Sequence, residues 1–298
     1  NRGRVAGLFA APSAAAASDL TWSGLEILAS AGTTKRIDVE LALAPVGVSA
    51  GTTDDTLTTT ISTITARNSA GTSCATAADG CTVTGTAAGN AMYIYKAVPL
   101  VSLVALPNST LAGGEMVIAK FSVSGNGTGS IAWKQAMFEI TKSLAPTLSA
   151  ATLWNSDTGL QVNAFMEYKN GGATDWNTGG TAGTCVADNT LCELRITIDA
   201  NSSDVTDDDY TEQVSGAKTY EIRSTIGGTL ASGNSVSVKF DRNTTTHAAS
   251  AAYATNDNAG TAGSVSFTWS DESVVAGDTG EATWQKDFLV KNLPITWN

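Results

Sequence analysis

The chain has 298 residues, 42% hydrophobic and only 15% charged, a balance that supports folded cores and excludes a disordered coil. Seventeen basic against twenty-eight acidic side chains leave a net charge of −11. That charge repels phosphate backbones, no Lys/Arg cluster runs against it, and no run of eighteen apolar residues exists, so neither nucleic acid nor a transmembrane helix is expected.

Residues 1–18, NRGRVAGLFAAPSAAAAS, read as an apolar arm or linker, because Pro12 and Ser13 interrupt a weak apolar core. No initiator Met precedes it, so an upstream segment is expected. Val5, Leu8 and Phe9 are its candidate subunit contacts. Beyond the arm, alternation with a period of two predicts strands over 56–65, 92–106, 116–124, 130–141, 160–168, 192–199, 218–226 and 235–241. Turn residues separate them, among them Pro107-Asn108, Gly113-Gly114, Gly171-Gly172 and Gly227-Gly228. No amphipathic helix is found, and SLAPTLSAATLW (143–154) holds one helical turn at most. Many short strands joined by Gly-rich turns predict an all-β chain of sandwich type.

An internal repeat divides it. TTKRIDVELAL (33–43) parallels GAKTYEIRSTI (216–226), and TLTTTISTITARN (56–68) parallels SVSVKFDRN (235–243). A long loop and an aromatic strand follow in each copy, AMYIYKAVP (91–99) and SFTWSDES (266–273). The expected domains are a first β-sandwich over 19–97 and a second over 98–298 with a strand-rich tail. The first shows only the latter half of the repeat, which leaves open strand edges, so a strand from an upstream segment or a neighbouring subunit is expected to complete it. Phe288, Leu289 and Trp297 in the tail are further candidate subunit contacts.

All four cysteines fall in two C-x6-C frames, CATAADGC (Cys74–Cys81) and CVADNTLC (Cys185–Cys192). Six intervening residues are too many for a zinc knuckle, and the C-x-x-C redox motif is missing. An i, i+7 pair suits cross-strand partners at the end of a hairpin, so two local disulfides are expected, with free buried thiols as the alternative. Disulfides place the chain in an oxidising, extracytoplasmic location.

Little chemistry is apparent. His247 is the one histidine and sits among Thr and Ala; no nucleophile elbow, P-loop or dinucleotide fingerprint is present, and no enzyme activity is expected. Asp204, Asp207, Asp208 and Asp209 share one loop, where their oxygens are a candidate Ca2+ site, or simply a solvated acidic turn. Trp133 and Trp154 lie in apolar strands and read as core; Trp176, in GGATDWNTGG, is the candidate exposed aromatic for a ligand, a loop pin or a subunit contact. Sequons at Asn108, Asn126, Asn201 and Asn243 are candidate glycan sites that mark surface loops.

Three stretches carry a likeness: SGNGTGSIAWKQAMFEITKS (124–143), GAKTYEIRSTIGGTLASGNSVSVKFDRN (216–243), and SFTWSDES with WQKDFLVKNLP (266–294). They resemble repeat-built cell-surface proteins of the Patescibacteria, which carry an iaWk strand, a YelratvgG strand and a terminal F-W-S-D … YLVK-LP segment. The likeness spans most of 98–298 and the latter part of 1–97, and departs at Trp284 to Phe288. It implies two tandem Ig-like domains in an exported surface or filament component, and it transfers no active site. The expectation is a homopolymeric subunit of an extracellular filament or surface layer, without a required cofactor. A carbohydrate-binding module contacting cell-surface glycans and a secreted polysaccharide hydrolase are the alternatives.

Overall fold

The computed structural model describes residues 87–127, 129–171, 183–198, 211–240, 249–250, 267–272, 284–286 and 290–298, with 27–28, 30, 33, 35–36, 46, 56–61, 66–68 and 70–74 from the earlier part. The described residues are all-β, in antiparallel sheets, and contain no helix. The chain divides into two compact units, Asn1–Ile94 and Tyr95–Asn298.

In the first unit six short strands pair two by two, as three short antiparallel ladders nested in hairpin order. Strand β1 (Thr56–Leu57) pairs with β6 (Met92–Tyr93), β2 (Thr60–Ile61) with β5 (Ala87–Ala88), and β3 (Ala66–Arg67) with β4 (Ser73–Cys74). Asn68 makes the turn: its Oδ1 accepts the N–H groups of Ala70 and Thr72, and Gly71 adopts the left-handed conformation at φ 82°. The predicted strand over 92–106 is thereby split, because β6 belongs to this hairpin and β7 to the second unit.

In the second unit, β7 (Ala97–Leu103), β8 (Gly114–Gly127), β10 (Pro146–Asn155), β11 (Leu160–Val162) and β15 (Ala217–Gly228) form a five-stranded sheet in the order β11-β10-β15-β8-β7. The partner sheet has nine strands. Its spine is β12 (Ala164–Asn170), β13 (Leu191–Ile198), β9 (Ile131–Lys142), β18 (Phe267–Ser270), β19 (Trp284–Lys286) and β17 (Ala249–Ser250). Strands β14 (Glu212–Val214) and β16 (Val236–Phe240) also pair with β9, and β20 (Ile295–Trp297) pairs with β16.

Alternation explains the inner faces. In β8, Ala119, Phe121 and Val123 are fully buried while Lys120, Ser122 and Ser124 point outward. Phe121 packs on Phe138 and Phe240 of the facing sheet, at 5.6 Å between ring centroids in both cases, and Trp133 meets Tyr220 edge-on at 5.5 Å. Side-chain hydrogen bonds also cross between the sheets, among them Tyr168 Oη donating to Ser224 Oγ at 2.7 Å and Tyr220 Oη donating to Glu212 Oε1 at 2.8 Å. Burial pushes both tyrosine hydroxyls up from their ordinary pKa, so they stay neutral donors.

Bulges interrupt this alternation. In β10 the register shifts between Ser149 and Thr152, with Ala150 at φ 50°, so the buried leucines fall at 148 and 153 rather than at even spacing. The stretch expected to hold at most a helical turn is therefore a strand. In β9 the shift between Trp133 and Gln135 moves the inward set from Ile131 and Trp133 to Ala136, Phe138 and Ile140.

Both lateral sides are crossed by the chain itself. Strand β11 at the edge of the five-stranded sheet runs through Asn163 directly into β12 at the edge of the other. On the opposite side, Lys291 exchanges backbone hydrogen bonds with β7, donating to Pro99 at 3.0 Å and accepting from Val101 at 3.2 Å, before β20 joins β16.

Candidate functional site

The disulfide lies inside the second unit. Cys185 and Cys192 are joined with their Cα atoms 5.9 Å apart, and neither is exposed. Cys192 belongs to β13 of the nine-stranded sheet, whereas Cys185 exchanges two backbone hydrogen bonds with Leu148 of β10, at 3.1 and 2.9 Å. The bridge thus fastens one sheet to the other rather than stapling a hairpin. The intervening loop turns at Val186–Asn189 and is clasped by Asn170, whose side chain donates to Thr184 O and accepts from Val186 N. Lys142 adds a bond from Nζ to Ala187 O; burial lowers its pKa, and Asp188 opposes that shift. The pairing of Cys74 with Cys81 lies outside the described residues.

On the outward face of the five-stranded sheet, Trp154, Glu221 and Lys120 stand in one cross-strand row. Trp154 is half-buried on this face instead of sitting in the core, because the β10 bulge reverses its direction. The Arg223 guanidinium lies 4.3 Å over its ring, and the indole N–H donates to Thr152 Oγ1. Glu221 accepts from Lys120 Nζ at 2.8 Å, Ser156 Oγ at 3.0 Å and Arg223 Nη2 at 3.0 Å. Burial alone would raise the Glu221 carboxyl, but the bonds from Lys120, Arg223 and Ser156 outweigh it and hold the carboxyl below its usual range. Every charge in this row is engaged, and a cation already occupies one face of the ring.

The outward face of the nine-stranded sheet is buried at its β12 side. Glu167 and Arg195 pair there between adjacent strands, with Nε donating to Oε2 at 3.0 Å, and both are almost wholly buried. Burial raises the Glu167 carboxyl more than the Arg195 charge and hydrogen bond lower it. Lys169, Gln135, Thr197 and Thr268 on the same face are also buried. Sequence reasoning missed this set, since charged residues at alternate strand positions ordinarily face water. The Glu-Lys and Glu-Arg spacings in β12 and β13 were the available signal.

A shallow groove of about 330 Å³ opens near the β11–β12 crossing. Leu160, Val162 and Ile198 give it apolar surface, and Asn155, Thr158, Gln161 and Asn163 line it with amides and a hydroxyl. Its one lining carboxylate, Glu212, already accepts Lys218 Nζ and Tyr220 Oη, both at 2.8 Å. Hydrolysis by two converging carboxylates therefore finds no pair among the described lining residues. Among the described residues, no group of three His, Cys, Asp or Glu is placed to hold a metal ion, and no helix is long and apolar enough to cross a membrane.

The other expected site residues are scattered. Trp297, expected as a subunit contact, is buried in its own unit: its Nε1 donates to Val104 O and Lys120 O, both at 3.0 Å, and its ring lies 6.4 Å from Phe121. The large indole fills the mouth between the sheets, which a tail lying free would leave open to water. Trp133 is core as expected, and Trp284 is buried too. Asn108 is exposed in the β7–β8 connection, and Asn126 is exposed within β8. Val5, Leu8, Phe9, Trp176, Asn201, Asp204, Asp207, Asp208, Asp209, Asn243, His247, Phe288 and Leu289 lie outside the described residues. Comparison of the chain with protein-family models, with curated proteins and with solved structures finds no match.

Proposed function

We propose that this chain is a structural subunit of an extracellular assembly, a filament or a surface lattice built from copies of itself. The observation that carries the reading is the buried Cys185–Cys192 bridge between the two sheets. A bridge so placed belongs to a chain that folds under oxidising conditions outside the cytoplasm. Two further features support a structural role. The second unit crosses from sheet to sheet with its own chain at the β11–β12 and β7 sides, and its Lys120–Glu221 and Arg195–Glu167 pairs are committed to internal bonds.

Assembly is assigned to the first unit. Its described strands pair only two by two, and its sequence carries only the latter half of the repeat that the second unit shows in full. In this reading the two units are tandem Ig-like sandwiches, like those of the Patescibacterial surface proteins the sequence resembles. A strand from a neighbouring copy completes the first. Negative-stain microscopy of the native material should show fibres or sheets. Isolated particles, together with a stable monomer in size-exclusion chromatography, would remove the reading.

The groove near β11 favours a second reading, a carbohydrate-binding surface module, because amide side chains beside apolar patches suit sugar hydroxyls and C–H faces. Glycan-array binding that is lost in Gln161→Ala and Asn163→Ala would select it over the first.

A further inference from the structure

We propose that Asn108 carries an N-linked oligosaccharide, an inference that rests on the extracytoplasmic location proposed above. Asn108 opens the triplet Asn108-Ser109-Thr110 in the connection between β7 and β8, an exposed stretch outside any strand pairing. Its Oδ1 accepts the backbone N–H of Thr110 at 2.9 Å, so the third residue of the triplet folds back toward the first. The side-chain nitrogen Nδ2 makes no hydrogen bond among the described residues and is left to solvent.

The contrast with Asn126 decides between the two described sequons. Asn126 stands in β8 opposite Val98, with Gly125 opposite Pro99 and Gly127 opposite Ala97. A transferase must take the acceptor backbone into its own groove. At Asn126 that means unzipping the end of a strand pair, whereas the Asn108 turn can be drawn out with the ladder intact. A glycan on Asn108 also displaces no packed side chain, since residues 107–110 are all exposed.

The transfer is balanced without an oxidant. Asn108 Nδ2 attacks the anomeric carbon of a sugar held on a polyprenyl diphosphate, and a C–N bond forms as the C–O bond to the diphosphate breaks. The diphosphate leaves with the electron pair of that bond, and the proton lost from Nδ2 ends on the released diphosphate.

The test is peptide mapping and intact mass of the full chain recovered from the organism that encodes it, alongside Asn108→Gln, Thr110→Ala and Asn126→Gln, with protease shaving of intact cells. The expected result is a sugar mass on the Asn108 peptide, lost in Asn108→Gln and Thr110→Ala and kept in Asn126→Gln. Protein that is accessible at the surface yet bare at Asn108 overturns the glycan and leaves the location standing. Protein that is both inaccessible and bare overturns both. A sugar found at Asn126 with Asn108 bare overturns the choice of site.

Discussion

Opening the Cys185–Cys192 bridge should weaken the second unit by an amount set mainly by the loop it closes. The two residues are seven apart, and in the chain-entropy model so short a loop is worth about 2.5 kcal/mol at 25 °C. For a unit spanning Tyr95–Asn298, each kcal/mol moves the midpoint by about 2–4 °C, so reduction should lower Tm by about 5–10 °C. Melting can be followed by tryptophan fluorescence: of the seven tryptophans only Trp22 precedes Tyr95, which keeps any change at Cys74 and Cys81 from dominating the signal. The Cys185→Ala/Cys192→Ala variant should fall somewhat further, because it also leaves small voids at two buried positions. Since Cys185 is bonded to Leu148, amide exchange at Leu148 should quicken before the β8–β15 ladder loosens. A Tm that moves by less than about 1 °C on verified reduction, with Leu148 still protected, would refute the view that this bond holds the sheets together.

Three other outcomes follow from the buried contacts. Glu167→Ala removes the carboxylate that accepts two bonds from the buried Arg195 guanidinium and should destabilise the unit, by up to about 3–5 kcal/mol, while Glu167→Met with Arg195→Leu should cost clearly less; urea titration of the three proteins checks this. Glu221, whose folded pKa lies below the ordinary 4.5, stabilises the unit fully above that value. As pH falls the unfolded chain is protonated first, and the contribution vanishes through the lowered folded pKa. Stability measured from pH 6 to 3 should therefore drop less steeply in Glu221→Gln. Trp297→Ala should cost about 3–5 kcal/mol and Trp297→Phe less, the latter losing the indole bonds to Val104 and Lys120 but keeping most of the apolar fill; chemical denaturation of each variant separates the two parts.

Much of the strand content was legible in the chain. β8, β9, β13 and β15 fall where alternation predicts them, since each carries buried apolar residues on one face. β10 was not legible, because its bulge at Ala150 and Ala151 breaks the period that reveals a strand, and the same bulge put Trp154 outside when its apolar neighbours suggested core. The Cys185–Cys192 bond could be read from spacing, but not its span. Local separation says nothing of Leu148, thirty-seven residues before Cys185, and that pairing carries Cys185 to the other sheet. Burial of Glu167 and Arg195 was equally hidden, because it depends on what covers a sheet face and not on the strand that bears it. The acidic loop and Trp176, on which the cation and sugar readings depended, lie outside the described residues.

The bridge between Leu100 and Lys291 runs parallel, joining a strand near the start of the second unit to a segment near its end. Tension drawing Tyr95 away from Lys291 therefore slides these two segments lengthwise past each other. Their hydrogen bonds, Lys291 N–H to Pro99 and Val101 N–H to Lys291, then share the load instead of opening in turn like a zipper. An assembly of the kind proposed, if joined through these ends, would meet flow or traction in that resistant direction.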